Sequence, residues 1–161
     1  MKLRRKIAGV AALVVACVGL WPAAAHAERS RRVDVAVVHS GLQAVSNLSA
    51  TFHAGSCTEY AVDPISGGRS SVTLTLLNPY GDVTVDWHGY VSTSITATAD
   101  VWHAWFLFKN SDGVVVATVS GFDGPNMIPS GLTYSFHRIK SIHLNEFTFF
   151  DIKKVDWWGD C

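Results

Sequence analysis

The stretch Ser71-Val72-Thr73-Leu74-Thr75-Leu76, followed by Asn78-Pro79-Tyr80-Gly81-Asp82 and then Val83-Thr84-Val85-Asp86-Trp87-His88, decides the fold class. Apolar and hydroxyl side chains alternate strictly on either side of a turn. A period of two puts Val72, Leu74 and Leu76 on one face and Ser71, Thr73 and Thr75 on the other, which is the pattern of a half-buried strand. Pro79 fixes φ and Gly81 tolerates positive φ, so the intervening segment reverses the chain. The return strand turns Val83, Val85 and Trp87 inward and leaves Asp82, Thr84, Asp86, His88 and Tyr90 on the polar face.

The same alternation continues outward from this hairpin. Val33, Val35 and Val37 open it, and Leu48, Ala50 and Phe52 carry it toward Cys57. Residues 101–108 and 114–120 form a second hairpin through Lys109-Asn110-Ser111-Asp112-Gly113. A Thr/Ser-rich strand is expected over 92–98, between the hairpins, and further strands over 132–139, 141–144 and 147–155. Gly124, Pro125, Pro129 and Gly131 mark 121–131 as the one long loop, and 42–48 is the only short helix candidate. About eight or nine short strands with no long amphipathic helix predict an all-β domain, a single antiparallel β-sandwich or flattened barrel.

The first residues point to export. Lys2, Arg4, Arg5 and Lys6 precede an apolar run from Ile7 to Leu20, and Ala25-His26-Ala27 offers small residues before a cleavage point. Residues 1–27 read as a signal peptide and 28–161 as the exported domain. Val14-Val15-Ala16-Cys17 has the form of a lipoprotein box, an alternative that would leave the protein lipid-anchored through Cys17. Arg4-Arg5 gives a second alternative, a twin-arginine signal. The apolar run is shorter than the ~20 residues that span a bilayer, and no later segment is longer, so no membrane span is expected.

The chain holds 13 basic and 13 acidic residues, and four of the basic ones lie before Ile7, so the remainder carries a net charge of −4. Without a basic cluster such a domain is a poor nucleic-acid binder, because phosphate neutralisation supplies most of that affinity. Arg29, Arg31 and Arg32 read as a solvated tail. After cleavage Cys57 and Cys161 are the two remaining cysteines, and in an oxidising compartment they pair as one disulfide. Closing a loop of about 100 residues contributes roughly 4–5 kcal/mol in the chain-entropy account.

Ala54-Gly55-Ser56-Cys57-Thr58, the Asp112-Gly113-Val114 turn and the closing Trp157-Trp158-Gly159-Asp160-Cys161 together resemble a family of small secreted actinobacterial β-rich proteins of uncharacterised function. The resemblance covers roughly residues 48–161. It implies a disulfide-bearing, sandwich-like exported domain and contributes no activity.

Chemistry-bearing residues are sparse in pattern. His39, His53, His88, His103, His137 and His143 lack the spacing of a metal motif, so they read as sheet-surface histidines, with no metal and no cofactor expected. Glu59, Asp86 and Glu146 are the carboxylates a hydrolase would draw on, but no nucleophile elbow accompanies them. Aromatics are the stronger signal. Trp102 and Trp105 fall on opposite faces of one strand, and Trp157 and Trp158 do so near the terminus, so one of each pair is expected outside the core. Exposed Trp can stack on a sugar or anchor a protein. The sequence therefore points to a secreted, non-catalytic binding module for extracellular carbohydrate or a protein partner, with Trp102, Trp105, Trp157, Trp158, Asp86 and His88 as candidate contacts. The alternatives are a small hydrolase using Asp86/His88 or Glu146, and an inhibitor or toxin-like effector presenting the 121–131 loop.

Overall fold

A computed structural model of the protein describes residues 31–94, 99–128 and 131–161. Residues 1–27, read above as a signal peptide, with Cys17, Arg29 and part of the expected 92–98 strand lie outside the described residues. Among the described residues alternation produces eleven strands, β1 (Arg31–Ala36), β2 (Val38–Ser40), β3 (Gln43–Asn47), β4 (Phe52–Ala54), β5 (Cys57–Glu59), β6 (Ser71–Leu76), β7 (Asp82–Thr93), β8 (Asp100–Lys109), β9 (Val115–Met127), β10 (Tyr134–His143) and β11 (Lys154–Asp160), and one helix, α1 (Glu146–Asp151). A four-stranded sheet has the order β1-β11-β8-β9, and a larger one the order β2-β3-β6-β7-β5-β4. β10 pairs with the far side of β7 along its whole length. Every pairing is antiparallel. The inward faces of the two sheets meet in one core cluster, so the all-β expectation holds, with two or three strands more than expected. β2, β4 and β5 each have three residues, too short for period two to register.

Three local expectations are corrected. The 42–48 segment is β3, not a helix, because pairing with β6 buries Ala44, with Ser46 and Leu48 buried beside it. The 121–131 segment is not one long loop: β9 runs on through Met127. Pro125 is tolerated there because β9 is an edge strand, where the missing N–H costs no ladder bond. The 147–155 strand is instead α1 followed by the start of β11. Asn145 caps α1, its side-chain oxygen accepting from the Thr148 N–H at 2.9 Å. The Ser92–Thr93 end of the Thr/Ser-rich segment belongs to β7.

Cys57 opens β5 in the larger sheet and Cys161 follows β11 in the smaller one, so the disulfide ties the two sheets at one end, with Cα atoms 5.8 Å apart. Two residues along the same face of β5, Glu59 stands fully buried between the sheets. Its carboxyl accepts from three indoles: Trp87 Nε1 at 3.1 Å, Trp102 Nε1 at 2.9 Å and Trp157 Nε1 at 3.1 Å. Trp87 comes from β7 beside it, while Trp102 and Trp157 reach across from β8 and β11. Close packing makes this convergence possible. A Cβ added at Gly159 would lie 1.9 Å from a ring carbon of Trp102, so only glycine leaves room for that indole. Glu59 is therefore a core residue and not a carboxylate available to substrate.

Burial pushes the Glu59 carboxyl up to about 8, against the opposing pull of the three indole donors and Ser70. In the unfolded chain the same group ionises near 4.5. The folded state thus holds a proton that the unfolded state has lost, and this contribution to stability is complete below 4.5 and lost as pH rises through 8. Unfolding free energy from urea titrations should fall by a few kcal/mol between pH 5 and pH 8.5. Glu59→Gln should be less stable at pH 5, since its amide donor faces indole donors, and should lose most of that slope. A slope unchanged in Glu59→Gln would place the proton elsewhere.

Candidate binding face

The four candidate tryptophans divide by strand alternation. On β8 and β11, Trp102 and Trp157 point inward, are fully buried and spend their N–H groups on Glu59. Burial removes both from the list of ligand contacts. Trp105 and Trp158 sit directly opposite one another in the β8–β11 register and point outward, each half-buried. Their rings stack with centroids 5.8 Å apart and planes 12° from parallel. Cross-strand aromatic pairs of this kind add about 0.5–1.5 kcal/mol beyond their buried area.

The stack is bordered by charge. Arg32, opposite Trp158 on β1, lies 5.9 Å above the Trp158 ring. Arg32 also meets Asp156 at 3.4 Å, and Lys109 meets the same carboxylate oxygen at 2.5 Å. Asp156 is almost wholly covered by this outer layer, at 2% exposure, and its Oδ1 has no partner among the described residues. Toward the other end, His103 Nδ1 and Asp123 Oδ1 are 2.7 Å apart, and Asp160 is the register partner of His103. The outer surface of the small sheet is therefore an aromatic pair framed by hydrogen-bonding groups of both signs.

Asp86 and His88 lie elsewhere, on the outer face of the larger sheet. His88 is opposite His137, its ring contacts Tyr90 at 5.0 Å, and its Nε2 is 3.4 Å from Ser135 Oγ. Asp86 stands between Thr73 and Ile139, and its Oδ1 is covered and unpartnered among the described residues. Sandwich geometry thus puts Asp86 and His88 on the opposite broad face from Trp105 and Trp158, so the six candidate residues do not form one site.

Glu146 is separate again. It opens α1 and lines a shallow cavity of about 140 Å³ with Leu42, Leu76, Leu77, Asn78 and Pro79. Around this end Phe147 is 89% exposed and Tyr80 84%. Neither this cavity nor the one lined by Gly121, Phe122, Asp123, Arg138, Ile139 and Lys140 includes Asp86 or His88. One group of three potential metal-ligating side chains converges among the described residues, Cys57, Asp100 and Cys161, and no histidine belongs to it. Its sulfurs are joined in the disulfide, and Asp100 Oδ2 accepts from the Ser56 hydroxyl at 2.6 Å.

Two cations escaped sequence reasoning. Arg138 and Lys140 alternate along β10 and bridge the open edge between the sheets. Lys140 Nζ donates to the Ser120 carbonyl at 2.7 Å and Arg138 Nε to the Asp123 carbonyl at 2.9 Å. Their i, i+2 spacing is visible in the sequence, but not that β9 lies beside them. A family of unknown function (DUF6294) matches residues 76–161, more than half of the chain. That span includes Trp87, Trp102, Trp105, Trp157 and Trp158 but stops short of Cys57 and Glu59. No curated protein and no solved structure matches the chain.

The inward and outward tryptophans should separate in stability measurements. Trp102→Ala and Trp157→Ala remove buried indoles and should each cost about 3–5 kcal/mol. Trp105→Ala and Trp158→Ala should cost about 1–2 kcal/mol, the pair term and part of the ring area. Equal losses for all four in urea unfolding would contradict the assignment of faces.

Proposed function

The chain belongs to this family of unknown function, so its role is read from its surface: we propose that it is an exported, non-catalytic binding module that holds carbohydrate on the outer face of its four-stranded sheet. The observation that carries this reading is the Trp105–Trp158 stack, held at the surface by two rigid strands and framed by Arg32, His103, Asp123 and Asp160. Apolar sugar faces pack on indole, and the surrounding donors and acceptors suit hydroxyl groups. Placing the pair on strands limits the side-chain ordering that binding would cost. The disulfide fits an oxidising compartment, in keeping with the basic and apolar segment at the N-terminus. No helix among the described residues is long and apolar enough to cross a membrane.

The hydrolase alternative draws less support, because Asp86/His88 and Glu146 stand on different surfaces and the cavity at Glu146 includes neither Asp86 nor His88. The inhibitor alternative loses most of its presenting loop to β9. A protein partner would find its apolar anchor at the Leu42, Leu77, Tyr80 and Phe147 end instead.

One experiment separates these. Full oxidised protein is passed over insoluble cellulose, chitin, peptidoglycan and pectin, with Trp105→Ala, Trp158→Ala and Phe147→Ser alongside. Retention on at least one polymer, reduced at least tenfold by either Trp variant and unchanged by Phe147→Ser, is the expected result. Retention lost only in Phe147→Ser would move the site to the turn end, and release of reducing ends would favour the hydrolase.

A further inference from the structure

The edge where the two sheets fail to close is shaped differently from the other surfaces. β9 ends the small sheet and β10 ends the large one, and no backbone ladder joins them. The gap holds a cleft of about 200 Å³ lined by Gly121, Phe122, Asp123, Arg138, Ile139 and Lys140. A water occupies ~30 Å³ of liquid, so the space admits a group several times larger. Lys140 Nζ sits 5.2 Å above the Phe122 ring and Arg138 lies 5.5 Å from the Phe136 ring. Neither cation has a carboxylate partner among the described residues. Asp123, the acid lining the cleft, engages His103 with its carboxylate and offers Arg138 its backbone carbonyl.

The donor count matters here. A guanidinium has five N–H groups, and Arg138 directs three toward the carbonyls of Asp123, His137 and Gly124, at 2.9, 3.0 and 3.4 Å. Lys140 uses one of its three on Ser120. Two N–H groups remain on each, on side chains already held in place by the carbonyls they bind. An anion entering would therefore meet ordered donors, and a guanidinium fork suits a planar carboxylate in particular.

The cleft also adjoins the aromatic pair. Between Ala104↔Phe122 and Phe106↔Val119 the β8–β9 register shifts, so Trp105 lies opposite a bulge at Ser120–Gly121. Gly121 takes φ of +74°, a left-handed conformation that glycine adopts without strain. The carbonyl of Ser120, the other bulge residue, is the acceptor of Lys140. Trp158 on β11, Trp105 on β8 and the bulge on β9 thus follow one another across paired strands spaced about 4.8 Å apart, and Lys140 reaches the bulge from β10, which has no ladder to β9.

We infer that the Arg138–Lys140 cleft is an anion subsite continuous with the Trp105–Trp158 stack, so that the preferred ligand is an acidic glycan bearing carboxylate groups. This rests on the carbohydrate reading above and adds the ligand's charge to it. A neutral sugar would use the stack alone, and an acidic one would use both.

The test compares matched ligands by calorimetric titration of the full oxidised protein in low salt. Two pairs are used, oligogalacturonate with its methyl ester and carboxymethylated with plain cello-oligosaccharide. At least one acidic member should bind tenfold or more tightly than its neutral counterpart, and the preference should shrink in 0.5 M NaCl. Lys140→Gln and Arg138→Gln should each remove most of the preference while leaving affinity for the neutral member unchanged. Lys140→Arg should keep the preference, and serves where Lys140→Gln loosens the β9–β10 edge. Trp105→Ala should weaken both members of the pair. Equal affinity for acidic and neutral members, or a preference intact in both Gln variants, overturns the anion subsite and leaves the carbohydrate reading standing. Failure of all four ligands to bind overturns both. Tighter binding of an oligothymidylate than of any glycan also overturns it, assigning the face to nucleic acid.

Discussion

The structure depends on one buried carboxyl group. Glu59 lies between two sheets that share no backbone ladder, and through three indole hydrogen bonds it fixes where the second sheet sits on the first. Apolar contacts hold sheets together without strongly choosing their offset, because the hydrophobic effect is non-directional. Hydrogen bonds to a single acceptor do choose. Trp102 and Trp157 can reach Glu59 only when β8 and β11 cross β5 at one position, and a shift would leave polar atoms unpaired in the core, at a cost of about 1–3 kcal/mol each. The arrangement carries its own penalty in burying an ionisable group, which the fold meets by retaining the proton.

The disulfide acts on the same region by another means. Cys57 is two residues before Glu59 on the same strand face, and Cys161 follows the strand that delivers Trp157. Covalent linkage limits the unfolded chain, whereas the indole–carboxyl network selects among folded arrangements. Away from this tied end the constraint relaxes. At the β9–β10 edge no ladder joins the sheets, and long cationic side chains reach from β10 to carbonyls of β9. Rigid closure at one place and an open, charged seam at another are what give this small sandwich a cleft at all.

Much of the fold was legible in the sequence because strand alternation is a local property. The Ser71–Leu76 and Val83–His88 hairpin, the disulfide and the division of each Trp pair between two faces follow from period two and cysteine arithmetic. What escaped depends on partners distant in sequence. Segment 42–48 is apolar enough to pass for a helix, and only pairing with β6 makes it a strand. Gly124 and Pro125 read as loop because their tolerance rests on β9 being an edge. Glu59 read as a carboxylate that a hydrolase could draw on, because its burial depends on indoles 28, 43 and 98 residues away. The inward–outward rule could show that one of Trp157 and Trp158 faces out. It could not show that Trp158 would meet Trp105, since strand register is a tertiary fact.

That rule also explains how one short stretch serves two purposes. In Trp157-Trp158-Gly159 the first indole completes the buried network, the second builds the outer stack, and the glycine clears space for Trp102 to reach Glu59. The outer pair inherits its position from the inner one. Trp105 and Trp158 can stand opposite each other only if β8 and β11 hold their register, and Trp102 and Trp157, anchored on a common carboxyl, oppose a slip of either strand. A face that binds a flat ligand needs aromatic rings held in place before the ligand arrives. Here that rigidity comes from the core directly beneath, so a change at Glu59 would loosen the outer face without touching it.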